Sequence, residues 1–251
     1  MTKLDSYAVT SDDQEAPCRV EVLLPAGFDA TRRYPALFIL PVNAGSGGVW
    51  GDSVAEAVKA DLANRFGVIC VFPTFARTPW YADHPTDPHI RQESYFLNAV
   101  LPLIDAHYPV RERWLVGFSK SGWGAWSLLL RHPERFDRAA AWDAPLQTLH
   151  PDRYEMEPVF ATQANFEAYR IDPLLERRRE LLQGRPRLVL MGWGNFHDET
   201  VDTHQRLEAL GIPHVYRDGP RREHRWDSGW LLEAVELLAT AIPDHSSSVI
   251  P

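Results

Sequence analysis

The clearest chemical content in this chain lies in Gly117-Phe118-Ser119-Lys120-Ser121-Gly122. The apolar run Trp114-Leu115-Val116 ends at Gly117, and helically spaced apolar residues (Trp123, Trp126, Leu129, Leu130) follow at once. A serine at such a strand-to-helix corner sits in a strained backbone conformation that turns its hydroxyl outward, and a glycine two residues earlier leaves room for neighbouring backbone. Ser119 is therefore the candidate nucleophile. The usual corner has glycine again two residues after the serine; Ser121 stands there, with Gly122 and Gly124 following, so close helix-to-strand packing stays feasible. A glycine-rich turn without chemistry would show the same residues. A serine hydroxyl is a poor nucleophile at neutral pH, so the chemistry needs a base to take its proton and a third group to orient that base.

The elements that would position these groups read as an alternation of strands and helices. Residues 18–25 and 34–42 have the apolar patterns of strands, and the second is continuously apolar, as a strand covered on both faces should be. Asn43-Ala-Gly-Ser-Gly-Gly-Val-Trp50 follows it as a glycine-rich loop, where an open α/β sheet brings backbone to a ligand. Residues 53–66 read as a helix with a serine cap, 67–72 as a strand, 90–107 as a helix, 138–142 as a short strand ending at Asp143, 187–191 as another, 199–210 as a helix closed by Gly211, 214–216 as a last strand and 226–241 as a terminal helix. Residues 1–15 are expected to be an extended lead-in, 146–184 an insertion able to cap a pocket, and 244–251 a loosely ordered tail. Such alternation implies one domain with a mainly parallel sheet and right-handed crossovers.

In this order of elements, with an acid and then a histidine on late loops, the chain resembles the α/β-hydrolase fold. Gly117-Phe-Ser-Lys-Ser-Gly-Trp-Gly-Ala125, and Ile212-Pro-His-Val-Tyr-Arg-Asp-Gly-Pro followed by His224-Arg-Trp226, are similar to the esterase D, feruloyl esterase and putative esterase group. The resemblance implies a mainly parallel central sheet with helices on both faces and a small insertion after the sixth strand. Among ten histidines it selects His224, past the last strand, as the general base, with His197, His204 and His214 as fallbacks. The family's Gly-x-x-Asp spacing falls on Gly192-Trp193-Gly194-Asn195, placing asparagine at the acid position. Asp198, three residues on, is the expected orienting acid; Asp143, Asn195 and Glu199 are the alternatives, and Asp198 could instead cap the helix behind it. The backbone N–H of Lys120 is expected to donate one oxyanion hydrogen bond and that of Asn43 or Ala44 the other, since Pro41-Val42 replaces the family's His-Gly. The Lys120 side chain is expected in solvent.

Nine tryptophans are many, and Trp50, Trp80, Trp123 and Trp193 fall on or near these loops, which favours a substrate with a flat apolar acyl or aryl group. A formal charge of −8 argues against nucleic acid and anionic membrane as partners, and no apolar run reaches the length of a membrane span. The N-terminus lacks the apolar core of a signal peptide, suggesting a cytoplasmic protein. Cys18 and Cys70 sit in apolar runs and read as core thiols. No metal or cofactor is expected; Asp83, His84 and His89 are too irregularly spaced to make a ligand set. The expected activity is hydrolysis of small carboxylic esters through an acyl-enzyme, with oligomeric state open. A peptidase or acyltransferase of the same fold, or a binding protein on a degenerate scaffold, are the alternatives.

Overall fold

The computed structural model describes residues 4–45, 48–192 and 194–240. The expected tail and Trp193 lie outside them. Eight strands form one sheet: β1 (Leu4–Val9), β2 (Cys18–Leu23), β3 (Tyr34–Ile39), β4 (Ile69–Pro73), β5 (Val110–Phe118), β6 (Arg138–Trp142), β7 (Leu188–Met191) and β8 (His214–Arg217). Their spatial order is β1-β2-β4-β3-β5-β6-β7-β8. β1 and β2 pair antiparallel, as do β2 and β4, and every other pair is parallel.

Period-two side-chain alternation divides the apolar strand residues between two layers. Ala36, Phe38 and Leu115 face one core, beneath α3 (Gln92–Tyr95), α4 (Leu101–His107), α5 (Ser119–Arg131), α8 (Ile171–Arg178) and α9 (His197–Leu210). Leu37, Ile39 and Val116 face the other, beneath α1 (Ser53–Lys59), α2 (Leu62–Phe66) and α10 (Trp230–Thr240). Two short helices, α6 (Glu157–Phe160) and α7 (Gln163–Glu167), precede α8 in the connection from β6 to β7. This is the α/β-hydrolase architecture, with its insertion after the sixth strand.

Three expectations change in detail. Residues 4–9 are a strand rather than a lead-in: their side chains alternate between exposed and half-buried, Tyr7 and Val9 pack on the core, and β2 pairs with the strand along its whole length. The helix expected over 53–66 is two helices, broken at Asp61, whose φ of 53° no continuous helix permits. Its cap is Asp52, which accepts hydrogen bonds from the N–H groups of Val54 and Ala55, and Ser53 is the first helical residue.

Candidate active site

Ser119 is the first residue after β5 and has φ of 52°, a left-handed conformation rare outside glycine. Its neighbours make room for that corner. A Cβ on Gly117 would come within 2.5 Å of the Ser121 carbonyl oxygen, and one on Gly122 within 2.9 Å of Ala144 Cβ and of the Gly117 carbonyl. The close approach usually assigned to glycine at position 121 is thus made one residue later. Ser121 is fully buried, and its hydroxyl accepts from the Phe118 N–H at 3.1 Å while donating to the Phe118 carbonyl at 2.9 Å. That pair of bonds closes the end of β5 onto the first turn of α5.

The carboxylate opposite His224 is that of Asp143. His224 Nδ1–H donates to Asp143 Oδ2 at 2.5 Å; the aspartate side chain is 0% exposed and the imidazole 11%. With Nδ1 carrying the hydrogen, Nε2 keeps its lone pair, the tautomer a general base requires. Asp143 itself has φ of 42° and is clamped between strands: its carbonyl accepts the Ser119 N–H at 3.1 Å and its N–H donates to the Met191 carbonyl at 3.2 Å. The second carboxylate oxygen accepts the Phe196 N–H at 2.7 Å. Gly194 leaves the space, because a Cβ there would lie 2.5 Å from Asp143 Oδ2.

Asp198, expected as this acid, is displaced from the role by the start of α9 at His197. It falls in the first turn with its side chain fully exposed (104%), where a helix N-terminus favours negative charge, and the nearest cation-forming group is His197 at 3.9 Å. It does not cap the helix either, since the N-cap position is Phe196. Glu199 accepts the Gln147 N–H at 2.8 Å, tying α9 to the insertion. The signal that could have selected Asp143 was the pair Gly192 and Gly194, two residues without side chains beside the end of β6.

The loop bearing His224 is fixed on both sides. Trp230 Nε1–H donates to the Glu223 carbonyl at 3.1 Å, and Arg222 reaches Glu233 at 2.7 Å. Arg225 donates to the Val49 carbonyl at 2.9 Å and the Trp226 N–H to the Trp50 carbonyl at 2.8 Å, joining this loop to the glycine-rich one. The fallback histidines are engaged elsewhere: His197 with Asp218 at 2.9 Å, His204 with His214 at 2.8 Å. Of the irregular cluster, Asp83 bonds Ser94, His84 accepts backbone N–H groups from Thr86 and Asp87, and His89 meets the Asp12 carbonyl.

Ser119, Lys120 and His224 line one cavity of about 380 Å³ together with Val42, Trp50, Tyr154, Glu155, Asn195 and Phe196. The Trp50 ring stands edge-on to His224 at 5.3 Å and 87°. Asn43, beside Val42, lines an adjoining cavity of about 310 Å³. Tyr81 sets this loop: its hydroxyl donates to the Pro41 carbonyl at 2.6 Å, and its ring fills the space a Cβ on Gly124 would need. Tyr154 and Glu155 come from the insertion, which therefore builds one wall.

Two expected substrate tryptophans are core. Trp80 and Trp123 are fully buried, with ring centroids 5.5 Å apart at 75°, and both pack on Phe160 of α6. Trp80 Nε1–H donates to the Tyr154 carbonyl at 3.0 Å, so this pair seats the insertion instead of touching the cavity. Lys120 is paired rather than solvated: its Nζ lies 3.3 Å from Glu155 Oε2. The Thr78 hydroxyl on the same carboxylate, and then Lys120, hold Glu155 below the ordinary range of a glutamate.

Fold and site together define an ester hydrolase of the α/β-hydrolase class. Residues 11–199 match the model of the putative esterase family, and the chain belongs to that family. Ser119 and Asp143 fall inside the matched residues and His224 beyond them. No curated protein sequence matches the chain. Similar solved structures include a ferulic acid esterase, 20% identical over 96% of this chain and 98% of the other, with a TM-score of 0.74. An S-formylglutathione hydrolase from Agrobacterium tumefaciens is 17% identical over 96% of both chains, with a TM-score of 0.73. A fluorophosphonate-binding serine hydrolase from Staphylococcus aureus is 15% identical over 95% of this chain and 98% of the other, with a TM-score of 0.74. At such identities the likeness speaks for the fold. Among the described residues no helix is long and apolar enough to cross a membrane.

Proposed function

We propose that this protein hydrolyses carboxylic esters through an acyl-enzyme on Ser119, with His224 as general base and Asp143 as the carboxylate that orients it. The observation that carries the reading is the Asp143–His224 hydrogen bond beside a strained serine whose cavity the imidazole shares. Ser119 Oγ attacks the ester carbonyl as its proton passes to His224 Nε2, and Asp143 offsets the imidazolium charge. The oxyanion is met by the Lys120 N–H, in a first helical turn whose amides have no intrahelical acceptor, and by a backbone N–H of the Val42–Asn43 turn that Tyr81 holds. Collapse breaks the ester C–O bond, and the departing alkoxide takes the proton from His224. Water, deprotonated by the same imidazole, then frees the acid and returns the hydrogen to Ser119.

Trp50, Tyr154 and Phe196 favour a flat apolar acyl or aryl group, and the cavity volume favours a small one. A fluorophosphonate should label the wild-type protein once, at Ser119, and block turnover of p-nitrophenyl acetate; Ser119→Ala and His224→Ala should abolish both. Ester cleavage that persists in Ser119→Ala, or a wild-type protein that turns over esters and stays unlabelled, overturns the assignment.

A further inference from the structure

Away from this cavity, α9 and β8 bring together His204, Glu208 and His214. Each offers one ligand atom, and these three atoms lie within 4.8 Å of one another. We propose that they form a binding site for a divalent cation of the zinc type, taking two imidazole nitrogens and one carboxylate oxygen from the protein and leaving one position to water.

Three features make this more than a chance grouping. His204 and Glu208 are four residues apart on α9, so they stand on one face of the helix, one turn above the other. His214 Nδ1–H donates to the Ile212 carbonyl at 2.8 Å, which leaves Nε2 as the free lone pair and points it at His204 Nδ1, 2.8 Å away. A backbone carbonyl that fixes the tautomer of a ligating imidazole is the usual support of a metal-bound histidine. The His204 ring is held in turn by Tyr216, stacked on it at 3.9 Å and 11°. Tyr216 lies two residues beyond His214 on β8 and therefore on the same side of the strand.

In the metal-free protein one hydrogen lies between the two rings, donated by His204 Nδ1 to His214 Nε2. Metal entry moves that hydrogen to His204 Nε2 through solvent, so both rings remain neutral and no net proton is released by them. Bonds of 2.0–2.1 Å in a tetrahedral site place two nitrogens roughly 3.3 Å apart, so the rings need to part by roughly 0.5 Å. Two nitrogens and one oxygen suit zinc, nickel or copper and disfavour calcium and magnesium, which take oxygen. The cation would fasten α9 to β8, the last strand of the sheet. His214 begins β8, whereas Ser119 and Asp143 follow the ends of strands that run parallel to it; the site is therefore at the opposite end of the strands from the ester cavity.

The test is a calorimetric titration of the EDTA-stripped protein with zinc chloride, alongside its melting temperature. One zinc per chain should bind with Kd in the micromolar range, raising the melting temperature by about 5–10 °C at a hundredfold excess over Kd. His204→Gln and His214→Gln should each weaken binding at least about tenfold, and Glu208→Gln on the exposed face also about tenfold. Cooperative melting of each variant in EDTA checks that it folds; should a histidine variant fail, Glu208→Gln decides. A wild-type protein that takes up no zinc at 100-fold molar excess, or folded variants that keep the wild-type affinity, would overturn the site and leave a plain hydrogen bond between two imidazoles.

Discussion

The segments that follow β6 and β7 each carry an aspartate that the sequence offers to His224, Asp143 directly after β6 and Asp198 in the first turn of α9, and they use their carboxylates in opposite ways. Asp143 follows β6 in a left-handed conformation, with no exposed side-chain surface, its backbone carbonyl tied to Ser119 at the start of α5 and its N–H to Met191 of β7. Asp198 sits in the first turn of α9 with its carboxylate in solvent. The β7 loop contributes by yielding: Gly194 has no side chain to block Asp143, and the Phe196 N–H donates to it. The residues on either side of Asn195 supply space and a hydrogen-bond donor to the carboxylate of Asp143. A carboxylate is held against an imidazole only where its surroundings fix it, and the end of β6 does so while the exposed first turn of α9 does not.

The comparison can be broken most decisively at Asp143. Asp143→Asn should lower kcat for p-nitrophenyl acetate about 10⁴-fold, since the amide cannot offset the imidazolium. Adding Asn195→Asp to that variant should leave the rate unrestored; recovery beyond about tenfold in stopped assays would mean the two loops are interchangeable. Gly194→Ala sharpens the point without touching charge: its methyl must push the Asp143 carboxylate aside, and misplacement on the order of 1 Å should cost about 10² in kcat with KM little changed. Ser121→Ala removes a buried hydroxyl from the turn that carries Ser119, and about 1–3 kcal/mol of stability should go with it, read by urea unfolding. The smallest effect belongs to Asp198→Asn, expected to keep turnover within about twofold and stability within about 0.5 kcal/mol, as exposed sites do.

Much of the architecture was legible because its signals are local. β3, β7 and the second half of β5 are apolar runs that suit a sheet covered on both faces, and the glycines around Ser119 announce a corner that backbone sterics require. β1 is hard to read from the residues alone because its inward face mixes Asp5 with Tyr7 and Val9 while Leu4 points outward, and pairing with β2 completes its identity. Trp80 and Trp123 are ambiguous in the sequence, because an aromatic near a site loop looks the same whether it lines a cavity or holds up the wall behind it. Only the packing of Phe160 against both rings separates the two.

The amino-acid order alone determined the strained serine, the mainly parallel sheet that presents it and the late histidine, because each depends on neighbours within a few residues or on the alternation of elements. The approach of Asp143 rather than Asp198 to His224, and of His214 to the His204–Glu208 face of α9, were decided by tertiary structure. Hydrogen bonds and metal bonds fail over a fraction of an ångström, and distances that fine between residues far apart in the chain exist only once the sheet has set the ends of its strands side by side.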